Sequence, residues 1–327
     1  MSDSPELIIV HSTVSGKDPE EVKKKRIMNI VESALGSITQ NAKNMISYAS
    51  SVEDITKIVR DMIANNVPKV AIDGGDGFAT LFFNIFFKLR KSLEREDYRP
   101  DVLFLAGGTG NAVSFCSKFK NPLVALKNLY NNKYKTEPLN LLKVKTGNEP
   151  ELALFVGFGG DTEVLEIYRN QKRKGFFGYL IAVFKYAFSR KLYNPFSKND
   201  ANYTLDIEKD GTHIHRGKHE GGGISAIPFV GYGFRTFPLA RKGISQIRFV
   251  LYGAFLMPTM FILTKWNFLK RPNRLIYDYK IDRPTVLNFS FDREVPVQVS
   301  GDIRGRHSHV EVEFSQDETL NLVKRAG

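Results

Sequence analysis

Two short apolar runs in this chain each end in a glycine turn, and that repeat limits the folds open to it more than any other feature. The first passes through Val70-Ala71-Ile72 into Asp73-Gly74-Gly75-Asp76-Gly77, and the second through Leu103-Phe104-Leu105-Ala106 into Gly107-Gly108-Thr109-Gly110-Asn111. A single Gly-Gly-Asp-Gly is ordinary turn chemistry. Two such turns, each after a strand-like run and before a helix-compatible segment, are the units of an open α/β sheet, whose ligands bind beyond the carboxyl ends of the strands. Glycines there allow positive φ and close approach of backbone to a ligand, which points to phosphate handling with Asp76 standing among them.

The surrounding pattern agrees. Leu7-Ile8-Ile9-Val10 reads as a buried strand, followed by a loop and a helix from Pro19 with Glu20 and Glu21 in its first turn. Met45 to Tyr48 is a second strand. Ile55, Ile58, Val59, Met62 and Ile63 then recur at helical spacing behind a cap at Ser50 or Ser51. With helices expected after both glycine turns, the order predicts a mostly parallel, doubly wound sheet over 1–137. From 138 to 314 the texture turns β-rich, and the segments 139–144, 152–156, 203–207, 286–291, 295–299 and 310–314 read as strands of a sandwich-like domain. Lys209-Asp210-Gly211-Thr212 is a hairpin turn, and a tail at about 315–327 is expected to pack back on the first domain.

Length and charge narrow the class. The chain has 327 residues, 42% hydrophobic and 25% charged, so two globular domains are the natural reading. A net charge of +12 calls for an anionic partner: nucleotide, nucleic acid or acidic lipid. The single Cys116 excludes an internal disulfide framework and is expected to be a packed apolar side chain. No secretory pattern opens the sequence, so a cytoplasmic protein is expected. The apolar run at 249–263 is shorter than the roughly 20 residues a membrane span needs. His213, His215 and His219 lack a zinc spacing and are expected at the surface.

No Walker loop and no dinucleotide fingerprint are present, so phosphate binding must use other glycine loops. Those loops resemble the diacylglycerol kinase and sphingosine kinase superfamily of lipid kinases, which shares its fold with NAD kinases. Gly74-Gly75-Asp76-Gly77 is similar to the family's Gly-Gly-Asp-Gly signature, and Gly108-Thr109-Gly110-Asn111 to its Gly-Thr-x-Asn segment. Gly157-Phe158-Gly159-Gly160-Asp161 is similar to its Gly-Phe-x-x-Asp, and Val299-Ser300-Gly301-Asp302 falls where the family has Asp-Gly-Glu.

The resemblance implies a kinase that moves the γ-phosphoryl group of ATP, with Mg²⁺, onto the hydroxyl of a diacylglycerol-like or sphingoid-like lipid. It implies Asp76 as the catalytic carboxylate. Gly74, Gly75, Gly77, Gly108, Thr109, Gly110, Asn111, Ser15 and Gly16 would line the nucleotide, Asp161 would hold the lipid head, and Asp302 would serve the metal. Such chemistry depends on positioning and charge neutralisation. The partners expected are a lipid substrate and an anionic membrane surface met peripherally, with no nucleic acid; a homodimer is compatible with the chain. Basic flanks beside the apolar stretch 176–188 fit that surface. Departures matter too: Ser300 replaces a carboxylate, Asp302 shortens another, Phe78 replaces a Thr and Ala112 an Asp. The alternative is therefore a catalytically impaired lipid- or nucleotide-binding relative of the same fold. A soluble-substrate kinase related to NAD kinases is disfavoured by the apolar segments of the second half.

Overall fold

The computed structural model describes residues 5–13, 19–35, 44–107, 111–119, 121–147, 149–192, 202–231, 233–251 and 276–326. Ser15, Gly16, Gly108, Thr109, Gly110 and most of the 249–263 run lie outside the described residues. The chain divides into two compact units, residues 1–139 with 318–327, and residues 140–317.

The first unit alternates strand and helix: β1 (Leu7–Ser12), α1 (Glu20–Leu35), β2 (Ile46–Ala49), α2 (Val52–Ala64), β3 (Lys69–Gly74), α3 (Asp76–Ser92), β4 (Asp101–Ala106), α4 (Ala112–Cys116) and α5 (Pro122–Tyr130). The strands lie in the order β2-β1-β3-β4, and each neighbouring pair is parallel. Their side chains explain this. Leu7, Ile9, Val10, Val70, Ala71, Ile72 and Val102 to Leu105 are all buried, the near-continuous apolar run of strands covered on both faces. Leu103 and Leu105 pack with Ile27 and Val31 of α1 and Leu126 and Leu129 of α5. Phe104, pointing the other way along the strand, meets Phe83 of α3 edge to face.

Local signals set the helix starts. Ser51 caps α2, accepting the Asp54 N–H while the Asp54 side chain accepts from the Ser51 backbone, a complete capping box. Ile55, Val59, Met62 and Ile63 form its buried face. In α3, Phe82, Phe83 and Phe86 are almost fully buried, and the Phe82 and Phe86 rings stack at 6.3 Å.

The second unit contains β6 (Glu151–Ala153), β7 (Phe155–Gly159), α6 (Gly160–Asn170), α7 (Gly175–Leu192), β8 (Tyr203–Lys209), β9 (Thr212–Ser225), β10 (Ser245–Leu251), β11 (Ile276–Ile281) and β12 (Thr285–Val299). β5 (Tyr134–Lys145) and β13 (Asp302–Arg325) belong partly to each unit. The pairings are antiparallel, and this half is β-rich. β7 and β8 each pair with both β9 and β12, so the ladder closes on itself as a ring instead of dividing into the two separate sheets of a sandwich. Phe158, Phe249 and Phe289 fill it, all fully buried, with Phe291 beside Phe158 at 5.3 Å.

Two hairpins use the same turn. Asp210 and Gly211 have φ of 50° and 76°, and Ser300 and Gly301 have φ of 49° and 90°, the doubly left-handed geometry that matches strand twist. The sequence reading finds the first and misses the second.

The histidines are not all at the surface as expected. His219 is fully buried, because its position on β9 faces the Phe249 ring at 5.2 Å. Its Nε2 lies 2.8 Å from His215 Nε2, and the His215 ring stacks on Tyr277 at 3.8 Å. Burial, then the neighbouring His215, pushes the His219 pKa from 6.5 down to about 4. A depressed histidine pKa means that the unfolded chain binds more protons than the fold between those values, so stability falls as pH drops from 6.5 through 4. The loss from His219 is about 3 kcal/mol. Chemical denaturation of the parent and of His219→Leu across that range should show it as a difference, the parent losing stability relative to the variant as pH falls; parallel pH dependences would reject the assignment.

Candidate functional site

The glycine turn after β3 places Asp76 at the first position of α3. Its two carboxylate oxygens accept the backbone N–H groups of Ala112 at 3.0 Å and Val113 at 3.2 Å. Asn111, in the left-handed region at φ 53°, is the N-cap of α4 and makes no side-chain cap bond; Asp76, 36 residues before Ala112, fills that role. The glycine turn after β3 and the start of α4 are thus joined through one carboxylate. Burial raises the pKa of Asp76, and the two amide bonds oppose that shift.

Positive φ, one of the two reasons expected for glycine in this turn, is not met there. None of Gly74, Gly75 and Gly77 is among the positive-φ glycines. Gly74 is needed for space, since a Cβ there would collide with the Phe78 ring, which is buried over it. Gly75 is the N-cap of α3 and brings no side chain to its amides, and Gly77 is exposed in the first turn. The start of α3 therefore presents bare backbone donors and the positive end of a helix dipole, a setting suited to an anion.

Sequence reasoning misses the charged group beneath this turn. His11 and Asp73 are opposite one another in the register of β1 and β3. Both are buried; His11 Nδ1 lies 2.7 Å from Asp73 Oδ2, and Arg26 of α1 donates to the same oxygen at 3.2 Å. A Cβ on Gly107 would come within 2.5 Å of Asp73 Oδ1, so this network also supports the second glycine turn. The only early signal is a polar residue closing each apolar run. Cys116 is buried as expected, and burial pushes its thiol up to about 12, which leaves it inert.

In the second unit, Asp161 stands in the first turn of α6. Gln298 donates its amide to Asp161 Oδ2, and Gly157 is glycine because a Cβ there would collide with that oxygen. Burial pushes Asp161 up to about 6, against the opposing Gln298 bond.

Ser300 is a turn residue, buried, whose Oγ accepts the Leu154 N–H at 2.9 Å and whose own N–H donates to Phe155 O at 2.8 Å. Asp302 is half-exposed and paired with Arg169 at 2.8 Å. Among the described residues no three His, Cys, Asp or Glu side chains gather as a metal cage. Asp302, held by a guanidinium, does not by itself fit the oxygen-rich octahedral environment that Mg²⁺ demands.

α7 has two faces: Tyr179, Ala182, Val183 and Tyr186 are buried, whereas Phe177 and Phe184 are 65% and 46% exposed. Among the described residues no helix is long and apolar enough to cross a membrane.

Searched against protein-family models and against curated proteins, the sequence finds no match. Solved structures do share its fold. One of a candidate diacylglycerol kinase from Bacillus anthracis superposes with a TM-score of 0.68 at 16% identity, covering 97% of this chain and 96% of that one. A second, of a diacylglycerol kinase from the same organism, gives 0.61 at 14% identity over 97% and 96%. Yeast NADH kinase complexed with NADH gives 0.50 at 11%, over 99% of this chain and 85% of that one. The shared fold is the one that the motif resemblance implies.

Replacing Asp76 with Ala removes both bonds to the start of α4. The expected loss is about 1–2 kcal/mol in chemical denaturation, the range of a helix-cap deletion; a variant as stable as the parent would show that the bridge between the turns is energetically idle.

Proposed function

We propose that this chain is a lipid kinase, an ATP-dependent phosphotransferase with the hydroxyl of a diacylglycerol-like or sphingoid-like lipid as acceptor. The observation that carries this reading is the Asp76 bridge, which fixes a carboxylate at the bare N-terminus of α3 and ties it to the second glycine turn. Backbone amides of α3 and of the glycine turns would take the phosphate oxygens. Positioned donors of this kind stabilise charge that develops during transfer without reorganising.

Asp76 is the proposed general base. Each oxygen accepts one amide, which leaves lone pairs for a substrate hydroxyl. Its raised pKa makes it a stronger base than an exposed aspartate, and the amides fix its orientation. Asp161 is the proposed partner of the lipid head, accepting from a hydroxyl or amine in its ionised form. Mg²⁺ is proposed to arrive with ATP, since phosphate oxygens supply most of its ligands in such reactions.

Peripheral contact with an anionic membrane is proposed to run through α7. Phe177 and Phe184 are two turns apart on its exposed side, with partly exposed Leu180 and Ile181 between them. Exposed Lys172, Arg173 and Lys185 flank this stripe, the pairing of apolar face and basic rim that lies on acidic lipid. The fold shared with the Bacillus anthracis structures supports the kinase part of the reading.

Ser300 favours a second reading. Its hydroxyl already serves the Leu154 amide and its residue forms a turn, so no base is available at that position. A relative that binds ATP or lipid without turnover would look the same there.

Incubation with labelled ATP, Mg²⁺ and a total lipid extract should yield an organic-extractable phosphorylated product, and Asp76→Asn should lower its rate by about 10²–10⁴-fold. Binding of ATP or lipid without any product would support the second reading; full activity of a folded Asp76→Asn would remove Asp76 as base. Asp161 has a raised pKa, so its neutral form dominates below about 6 and its carboxylate above. Lipid affinity should therefore rise as pH increases through about 6, and Asp161→Asn should abolish that dependence.

A further inference from the structure

The strand order of the first unit, β2-β1-β3-β4, reverses direction between β1 and β3. The chain leaves β1 for β2 on one side and returns to β3 on the other. Beyond the carboxyl ends of such a pair lies the crevice in which open α/β sheets bind ligands. Two cations of α1 are drawn to those ends. Lys23 Nζ donates to the Thr13 carbonyl, just past β1, at 2.9 Å, and Arg26 Nη2 donates to Asp73 Oδ2, next to last in β3, at 3.2 Å. One turn apart, the two residues are neighbours on the helix.

The charges at this point do not balance. Lys23 is 7% exposed and belongs to the buried face of α1 with Ile27 and Val31, yet among the described residues no carboxylate pairs with it. The Thr13 carbonyl takes one proton of the ammonium and none of its charge, and an ammonium withdrawn from water without a counter-charge is costly. Asp73 answers Arg26, and His11, bonded to the same Asp73 oxygen, adds no negative charge in either protonation state. Glu20 is engaged elsewhere, 2.6 Å from Lys24, and Glu21 is exposed. The group thus holds one cation more than it holds carboxylates.

Arg26 also has capacity to spare. Its side chain is 42% exposed, and it meets Asp73 through Nη2 alone, so its Nε and Nη1 protons have no partner among the described residues. A guanidinium fixed at one nitrogen keeps donors for a second oxyanion.

We infer that Lys23 and Arg26 form an anion site at the β1/β3 switch point, with His11 and Asp73 fixing the guanidinium, and that the anion is a polyphosphate chain. One anionic oxygen would neutralise the Lys23 ammonium, and a neighbouring phosphate would take the Arg26 donors. Asp73 runs directly into Gly74-Gly75 and the bare start of α3, where a chain of phosphates finds further donors and a lone carboxylate would not reach. Neither cation belongs to a glycine turn. That the anion is the phosphate chain of ATP rests on the kinase reading; the unbalanced charge does not.

Calorimetric titration of the full chain with tripolyphosphate, without lipid, should show saturable binding at one site. Arg26→Gln and Lys23→Met should each weaken it by about tenfold. Lys25→Gln removes an exposed charge from the same helix and should change it by less than about twofold, which separates a site from the general attraction of a basic protein. Lys23→Met also separates ligation from architecture. A lysine kept only for its bond to Thr13 would lower the thermal midpoint of the ligand-free chain when replaced, whereas one kept for an anion should leave the midpoint unchanged or raise it. No saturation in the parent, or equal affinity in the parent, Arg26→Gln and Lys23→Met, would overturn the site, as would a lowered midpoint in Lys23→Met with affinity unchanged. Should Lys23→Met fail to fold, Arg26→Gln against Lys25→Gln decides. ATP should follow tripolyphosphate across the variants. Tripolyphosphate binding that the variants weaken, with no binding of ATP, would uphold the site and remove the nucleotide from the kinase reading, so the two fail separately.

Discussion

One aspartate ties the start of α3 to the start of α4 in the first unit. Asp76 begins α3 with its own backbone and caps α4 with its side chain, so the ends of β3 and β4 are fixed against each other by two hydrogen bonds to a single carboxylate. Glycine-rich backbone is open to many conformations; a half-buried, charge-assisted anchor restricts the starts of α3 and α4. The same anchor explains why Asn111 can occupy a left-handed cap position without a side-chain cap bond to α4. Beneath it, the His11–Asp73–Arg26 group supports Gly107 from the other side. Both turns therefore rest on carboxylates, one above the strand ends and one within them.

Features written in short stretches of sequence were legible. The Ser51 cap, the periodic apolar face of α2 and the Asp210-Gly211 turn each depend on residues within a few positions of one another. The same holds for the alternation of buried strand and helix in the first unit. Features that depend on register were not legible. His11 meets Asp73 only because β1 and β3 pair as they do, and Ser300 looks like a lost carboxylate until Leu154 and Phe155 are placed beside it. The histidines of β9 were misjudged for the same reason, since a strand buries alternate residues and nothing local said that His219 faced Phe249. Gly74 was assigned the right residue type for the wrong cause: it makes room for Phe78 and does not bend the chain.

The second unit gathers acids where apolar packing would be cheaper. Asp161 and Glu220 are placed near Tyr203, and burial holds Asp161 partly neutral at mildly acidic pH. His219 behaves oppositely, remaining neutral by giving up its proton. Acidification therefore favours the fold around one group and opposes it around the other, and the net response depends on which titrates first.

The strand β13 has a consequence for the order in which the protein is made. Its end pairs Asn321 and Leu322 with Asp101 and Val102 of β4, buries Val323 in the first unit's core and sets Lys324 2.5 Å from Glu137. These residues leave the ribosome only after all of the second unit has emerged. The unit begun first is thus completed last, and until then β4 exposes an edge that is prone to pairing with other chains. Synthesis passes through an interval in which the parallel sheet is assembled but unsealed, and its survival through that interval rests on how quickly the β-rich unit is completed.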